Sequence, residues 1–195
     1  MYRHIPNLLT LFRLLSAPAV ALILTMPTDP HLSLAALLIY SFASATDWLD
    51  GYLARRWQTV SNFGRMLDPI ADKLMVIVML LALMGTAFGT RWLALPALII
   101  ITREIMVSGL REFMAKQDFI VHVTLAAKMK TTIQLIAIGF LIGAFIFPSQ
   151  SVYFTLCHSI GLITLWVAAL ITAQTGIAYF QPATRHRNSQ KETTR

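Results

Sequence analysis

Four aspartates in two closely spaced pairs form the densest group of chemically active residues in this 195-residue sequence. Asp47 and Asp50 lie three residues apart, and Asp68 and Asp72 lie four apart. Spacings of three and four place side chains on one face of an α-helix, so each pair points in one direction. Four carboxylates at close quarters stay ionised only beside cations, because nearby like charges favour protonation. The pattern therefore predicts a site for divalent cations.

The ligand type indicates which cations and which chemistry. Two divalent ions would balance four negative charges, and oxygen ligands suit Mg²⁺, Mn²⁺ or Ca²⁺ rather than Zn²⁺. Paired ions clamp the attacking and leaving oxygens in phosphoryl transfer. Gly51 and Gly64 lack side chains where a ligand would approach the backbone, and Arg55 can bind a phosphate with two N–H groups. The alternative is that the aspartates only cap helix ends and pair with neighbouring basic residues: Arg55, Arg56, Arg65 and Lys73.

The composition places these residues in a membrane protein. Hydrophobic residues make up 56% of the chain and charged residues 13%, and the mean hydropathy is +0.65. A soluble domain carries about 25% charged residues, so a soluble enzyme is excluded. We expect an all-α, polytopic membrane protein with six transmembrane helices, because six segments have the required length. They are Leu8–Met26, Leu32–Ala54, Pro69–Ala87, Trp92–Met114, Thr131–Phe147 and Val152–Phe180.

The basic residues predict the orientation. With six spans, fifteen of the sixteen Lys and Arg residues fall on one side and only Arg91 on the other. The positive-inside rule then places both termini in the cytoplasm, and the aspartates at the cytoplasmic face of the cell inner membrane. We expect residues 1–182 to form the membrane domain and residues 183–195 a basic, disordered cytoplasmic tail. The net charge of +7 sets orientation in the lipid bilayer, so no nucleic-acid partner is expected.

The stretch from Asp47 to Asp72 carries a family resemblance. It matches D-x-x-D-G-x-x-A-R-x8-G-x-x-x-D-x-x-x-D at every fixed position. It resembles the signature of the CDP-alcohol phosphatidyltransferases, six-span enzymes of phospholipid synthesis. The resemblance implies two divalent cations, Mg²⁺ or Mn²⁺, with Asp72 also acting as general base, and it implies a homodimer. The implied metal ligands are Asp47, Asp50, Asp68 and Asp72, and the implied wall of the nucleotide site is Gly51, Ala54, Arg55 and Gly64.

Three further segments are similar to the family's glycerophosphate branch: Ile5–Arg13, Arg103–Phe113 and Lys128–Gln134, the last with Ala127 where the branch usually has Gly. In the first, we expect Asn7, Thr10 and Arg13 to contact the nucleotide of CDP-diacylglycerol. Asn7 could equally cap a helix, and Arg13 could extend to the membrane interface. Similarity to this branch implies transfer of the phosphatidyl group from CDP-diacylglycerol to glycerol 3-phosphate, with release of CMP.

A physical argument supports a phosphorylated acceptor. Arg103 and Arg111 are eight residues apart, about 80° around a helix, so both can face one cavity. Lys128 and Lys130 enter the fifth span at the same level. These four cations would form an acceptor-phosphate site.

Several alternatives stay open. The arginines could instead pair with nearby acids, namely Glu104, Glu112 or Asp118. The acceptor could be phosphatidylglycerol or inositol phosphate. Outside this class, a small membrane cation transporter also places carboxylates in a helical bundle, and a membrane scaffold without catalysis would have no need of the intact motif.

Overall fold

The computed structural model describes residues 5–26, 29–57, 62–115 and 125–193, and these residues form six helices. The helices are α1 (Ile5–Thr25), α2 (Pro30–Trp57), α3 (Asn62–Met84), α4 (Arg91–Ala115), α5 (Leu125–Ala144) and α6 (Val152–Thr193). The prediction of an all-α fold is confirmed for this part of the chain.

Within the described residues, three helices are long and apolar enough to cross a membrane, through Leu8–Thr25, Arg91–Met114 and Val152–Gly176. Two others carry shorter apolar stretches, Pro30–Thr46 and Met129–Ala144. Many large apolar side chains face outward, among them Leu22, Leu38, Leu81 and Leu170. Apolar surface on this scale is stable in lipid and not in water, as expected of a multi-pass membrane protein.

Two helices extend beyond their predicted membrane spans. Helix α3 begins at Asn62, so Pro69 lies inside it, because the polar turns that precede the apolar stretch are also helical. Helix α6 continues to Thr193, so residues 183–193 are helical where a disordered tail was predicted. That stretch contains no glycine, and its Ala, Arg, Gln, Lys and Glu residues extend an existing helix without a new nucleation step.

Helix α1 lies between the two helices that carry the signature. It packs against both α2 and α3, whereas α2 and α3 make few contacts with each other in the described residues. The short polar connection between α2 and α3 predicts that the two helices pack directly against each other as antiparallel neighbours, and this prediction is wrong for the described part of the chain. A short connection brings only the adjoining helix ends together, which leaves room for α1 between them.

The remaining helices pack around a common core. Helix α6 packs against α4 and α5, while α3 contacts α4 and α5, and α2 contacts α5. The hydroxyl of Tyr40 donates to the carbonyl of Leu135 at 2.9 Å and joins α2 to α5. Helices α5 and α6 approach each other closely at Gly161, where an added Cβ would lie 2.8 Å from Cγ of Leu141. The core is built from buried side chains of all six helices, including Val20, Tyr40, Met79, Ile100, Leu141 and Leu165.

Candidate active site

Helix α1 holds the two signature carboxylates of α3. The hydroxyl of Thr10 donates to Oδ1 of Asp68 at 2.6 Å, and Nη1 of Arg13 donates to Oδ1 of Asp72. Residue numbers rise in the same direction on both helices from the first contact to the second, so α1 and α3 run parallel here. Two residues one turn apart on α1 contact two carboxylates one turn apart on α3. Thr10 and Arg13 are 2% and 1% exposed. These buried groups fix the orientation of both carboxylates.

Helices α4, α5 and α6 bring a second polar cluster together. Nζ of Lys130 on α5 donates to Oε1 of Glu104 on α4, and Nη1 of Arg103 lies 3.5 Å from the same oxygen. Nη2 of Arg103 donates to the hydroxyl of Thr175 on α6 at 3.3 Å. Two cations from neighbouring helices thus converge on one carboxylate oxygen.

The position of Arg103 depends on a glycine in α6. A Cβ added to Gly176 would lie 3.1 Å from Cγ of Arg103, tighter than ordinary van der Waals contact. The absence of a side chain at Gly176 lets the arginine lie against the backbone of α6. The three-helix cluster is therefore built into the packing of the bundle.

A further contact connects the carboxylate helix to this cluster. Nζ of Lys73 on α3 donates to the hydroxyl of Ser108 on α4. Lys73 follows Asp72 directly, and Ser108 lies four residues after Glu104. The contact therefore sets the distance between α3, with its aspartates, and α4, with its arginine.

The family follows from comparison with known proteins. The family model described as CDP-alcohol phosphatidyltransferase matches residues 3–174. The chain belongs to the CDP-alcohol phosphatidyltransferase family.

Relatives in this family share most of the chain. A protein of Cereibacter sphaeroides named CDP-diacylglycerol–glycerol-3-phosphate 3-phosphatidyltransferase is 38% identical, over 96% of this chain and 98% of its own. A protein of the same name from Pectobacterium atrosepticum is 40% identical, over 95% of this chain and 97% of its own. A third, from Haemophilus influenzae, is 38% identical over 92% and 93% of the two chains.

The structure places the predicted family residues on helices as follows. Asp47, Asp50, Gly51, Ala54 and Arg55 lie on α2, Gly64 on α3, Asn7 on α1 and Lys128 on α5, and the side chains of all of these lie outside the described residues. Asp68 and Asp72 are both partly exposed on α3. Of the predicted acceptor-site cations with described side chains, Arg103 and Lys130 are brought together, while Arg111 is exposed further along α4.

The residues fit a hard divalent cation in chemistry. Asp68 and Asp72 present carboxylate oxygens one turn apart, the donor type that Mg²⁺ and Mn²⁺ prefer. The described side chains include two of the four signature aspartates, Asp68 and Asp72. Among these described side chains, no group of three or more His, Cys, Asp or Glu residues could hold a metal ion.

Three contacts in these clusters were not predicted: Thr10 with Asp68, Arg13 with Asp72, and Lys73 with Ser108. The pairing of Arg103 with Glu104 was one of the alternatives left open, whereas Lys130 as a second partner of Glu104 was not predicted. For Arg13 a signal existed, because a charged residue within an apolar span is expected to have a partner. The partner itself depends on the register of two helices about 60 residues apart in sequence.

Proposed function

We propose that this protein transfers the phosphatidyl group of CDP-diacylglycerol to sn-glycerol 3-phosphate, giving phosphatidylglycerophosphate and CMP. Membership of the family and the names of its relatives support this donor and this acceptor. The observation that carries the choice of acceptor is the convergence of Arg103 and Lys130 on one anionic oxygen. An acceptor that bears its own phosphate group needs such a pair of cations.

The reacting groups are those that the family resemblance implies. Asp72 accepts the proton of the acceptor hydroxyl, whose oxygen forms a new bond to the lipid-side phosphorus as the bond from that phosphorus to CMP breaks. The buried guanidinium of Arg13 keeps the carboxylate of Asp72 aimed at the hydroxyl. Most of the rate enhancement comes from positioning and from charge already in place.

Asp47, Asp50, Asp68 and Asp72 are the residues that would hold two divalent cations, Mg²⁺ or Mn²⁺. When bound, such ions supply positive charge beside the phosphate oxygens. Asn7, Thr10, Gly51, Ala54, Arg55 and Gly64 would surround CDP-diacylglycerol. Since the hydroxyl of Thr10 donates to Asp68, Thr10 would act on the donor through that carboxylate.

The proposal includes an orientation in the membrane. Six helices cross the cell inner membrane with both termini and the aspartates on the cytoplasmic side. The distribution of Lys and Arg supports this, with Arg91 alone on the opposite side. The homodimer that the resemblance implies stays a prediction.

The test is release of CMP from CDP-diacylglycerol by purified protein in detergent with Mg²⁺ or Mn²⁺. Glycerol 3-phosphate is compared with serine, inositol phosphate, phosphatidylglycerol and no acceptor. We expect release only with glycerol 3-phosphate, and none after addition of EDTA. Release with a different acceptor would keep the family chemistry and overturn the acceptor. No release with any acceptor, from folded protein, would contradict the proposed function.

A further inference from the structure

One carboxylate oxygen on α4 already occupies the place between two cations of the proposed acceptor site. Oε1 of Glu104 accepts a hydrogen bond from Nζ of Lys130 and lies 3.5 Å from Nη1 of Arg103. The lysine comes from α5 and the arginine from α4. An ammonium and a guanidinium grouped around one anionic oxygen form an oxyanion site, and its present occupant is part of the chain.

The two cations are fixed by their surroundings. Lys130 is 3% exposed, and Arg103 lies against α6 at Gly176 and donates to Thr175. Cations that are removed from water need a compensating negative charge. Glu104 supplies that charge while no acceptor is bound.

A phosphate group is a stronger ligand for the same donors. The three side chains carry a net charge of +1, from two cations and one carboxylate. A phosphate monoester carries about −1.5 to −2 at pH 7 and offers three strong acceptor oxygens. Guanidinium and ammonium groups have several N–H donors each, so both cations can bind it. A neutral alcohol brings no charge with which to replace the carboxylate.

We propose that Glu104 is the internal counter-ion of the acceptor site: it competes with the acceptor's phosphate group for Arg103 and Lys130, and so restricts the acceptor to alcohols that carry their own phosphate. This inference rests on the proposed function. Glu104 touches neither the reacting hydroxyl nor the phosphorus that is attacked, so it is a positioning and specificity-determining residue.

The test compares wild-type protein with Glu104→Gln, which removes the charge and keeps the shape. Binding of glycerol 3-phosphate is measured by calorimetry on full-length protein without CDP-diacylglycerol, and KM is measured for each substrate. We expect the Kd and KM for glycerol 3-phosphate to fall about threefold to tenfold, because a neutral amide competes weakly with phosphate. The KM for CDP-diacylglycerol should stay unchanged, and inorganic phosphate should inhibit at lower concentration.

Two further variants make the test specific. Asp29→Asn removes one negative charge from an exposed position between α1 and α2 and keeps the oxygen that accepts from the backbone N–H of His31, so it should leave the Kd for glycerol 3-phosphate unchanged. Glu104→Asp keeps the negative charge, but its side chain is one methylene shorter, so the carboxylate lies further from Lys130 and Arg103. Its Kd should fall in the same direction as that of Glu104→Gln, by a smaller factor, and it carries the test if the glutamine variant does not fold.

The outcomes separate the two proposals. Wild-type protein that neither binds glycerol 3-phosphate nor releases CMP would contradict the proposed function. Active wild-type protein with an unchanged or raised Kd in the folded Glu104 variants would overturn only the role of Glu104. An equal fall in Kd for Asp29→Asn would also overturn it, because the effect would then be general charge and not local competition.

Discussion

At the scale of single residues, the best-defined feature is the pair of buried side chains on α1 that hold the aspartates of α3. Each contact joins a group almost fully removed from solvent to a carboxylate that is partly exposed. Thr10 binds Asp68 and Arg13 binds Asp72. The exposed oxygens thus remain available to ligands, while the bonds from α1 limit their motion. Preorganisation of this kind lowers the cost of assembling a charged site.

Thr10→Val tests the first of these contacts. The change keeps the shape of the side chain and removes the hydroxyl that donates to Asp68 at 2.6 Å. We expect the Mg²⁺ or Mn²⁺ concentration for half-maximal activity to rise about tenfold, as for other partners of metal-ligating groups. Thr25→Val is the matched control, because the Thr25 hydroxyl donates to the carbonyl of Leu22 at the other end of α1, away from the aspartates. Equal metal dependence in both variants would contradict a role for Thr10.

Arg13 allows a graded test of the second contact. Arg13→Gln removes the charge that faces Asp72, and CMP release should fall about 10- to 100-fold because the proposed base is no longer held. Arg13→Lys keeps the charge without the planar fork, so it should recover part of the rate. Release by Arg13→Gln at the wild-type rate, in protein of unchanged melting temperature, would show that Asp72 does not need this partner.

At the scale of helices, the contact of α5 with α6 depends on one small residue. An added Cβ at Gly161 would lie 2.8 Å from Cγ and 3.0 Å from the backbone nitrogen of Leu141. The backbone atom cannot turn away as a flexible side chain can, so a larger residue must push the helices apart. The same two helices carry Lys130 and Thr175 of the acceptor cluster.

Gly161→Ala should therefore lower the free energy of unfolding by about 1–3 kcal/mol, the usual cost of overpacking, and lower the melting temperature. Gly143→Ala on α5 is the matched control. Its added Cβ would lie 3.6 Å from Cδ2 of Leu37, an ordinary contact, so the melting temperature should not fall. The measurement is thermal unfolding of both variants in the same detergent. A melting temperature for Gly161→Ala at or above wild type would contradict the close approach seen here.

The sequence predicts the helices, and which residues share a face of each helix, better than it predicts which helices pack against each other. The four-residue step from Asp68 to Asp72 predicts one stripe on one helix, and α3 has it. The partners of that stripe were not predictable, because Thr10 and Arg13 reach it through the packing of two helices remote in sequence. For the same reason α1, and not α2, is the main neighbour of α3 among the described residues. Local periodicity specifies a face, whereas tertiary packing decides what covers it.

At the scale of the whole molecule, the polar functional residues lie toward one end of the helical bundle. The signature aspartates lie in the last turns of α2 and the first turns of α3. Arg103, Glu104 and Lys130 lie toward the same end, on the second half of α4 and the start of α5. Donor and acceptor chemistry can therefore meet at one membrane face, while the apolar parts of the helices remain in lipid.

The orientation can be tested with single cysteines, since Cys157 is the one cysteine in the chain. In a Cys157→Ser background, a cysteine at the exposed Ser149, between α5 and α6, should react with an impermeant maleimide added outside intact spheroplasts. A cysteine appended after Arg195 should react only once the membrane is opened. The reverse pattern would place the aspartates on the outer face and contradict the proposed orientation.

Incorporation of labelled glycerol 3-phosphate into lipid tests the proposed transfer reaction most directly. Purified protein is incubated with CDP-diacylglycerol, the divalent cation and labelled glycerol 3-phosphate, and both the CMP released and the label in the organic phase are counted. We expect one labelled phosphatidylglycerophosphate for each CMP, and loss of both products in Asp72→Asn. CMP release without label in lipid would show hydrolysis of the donor in place of transfer, and would contradict the proposed reaction.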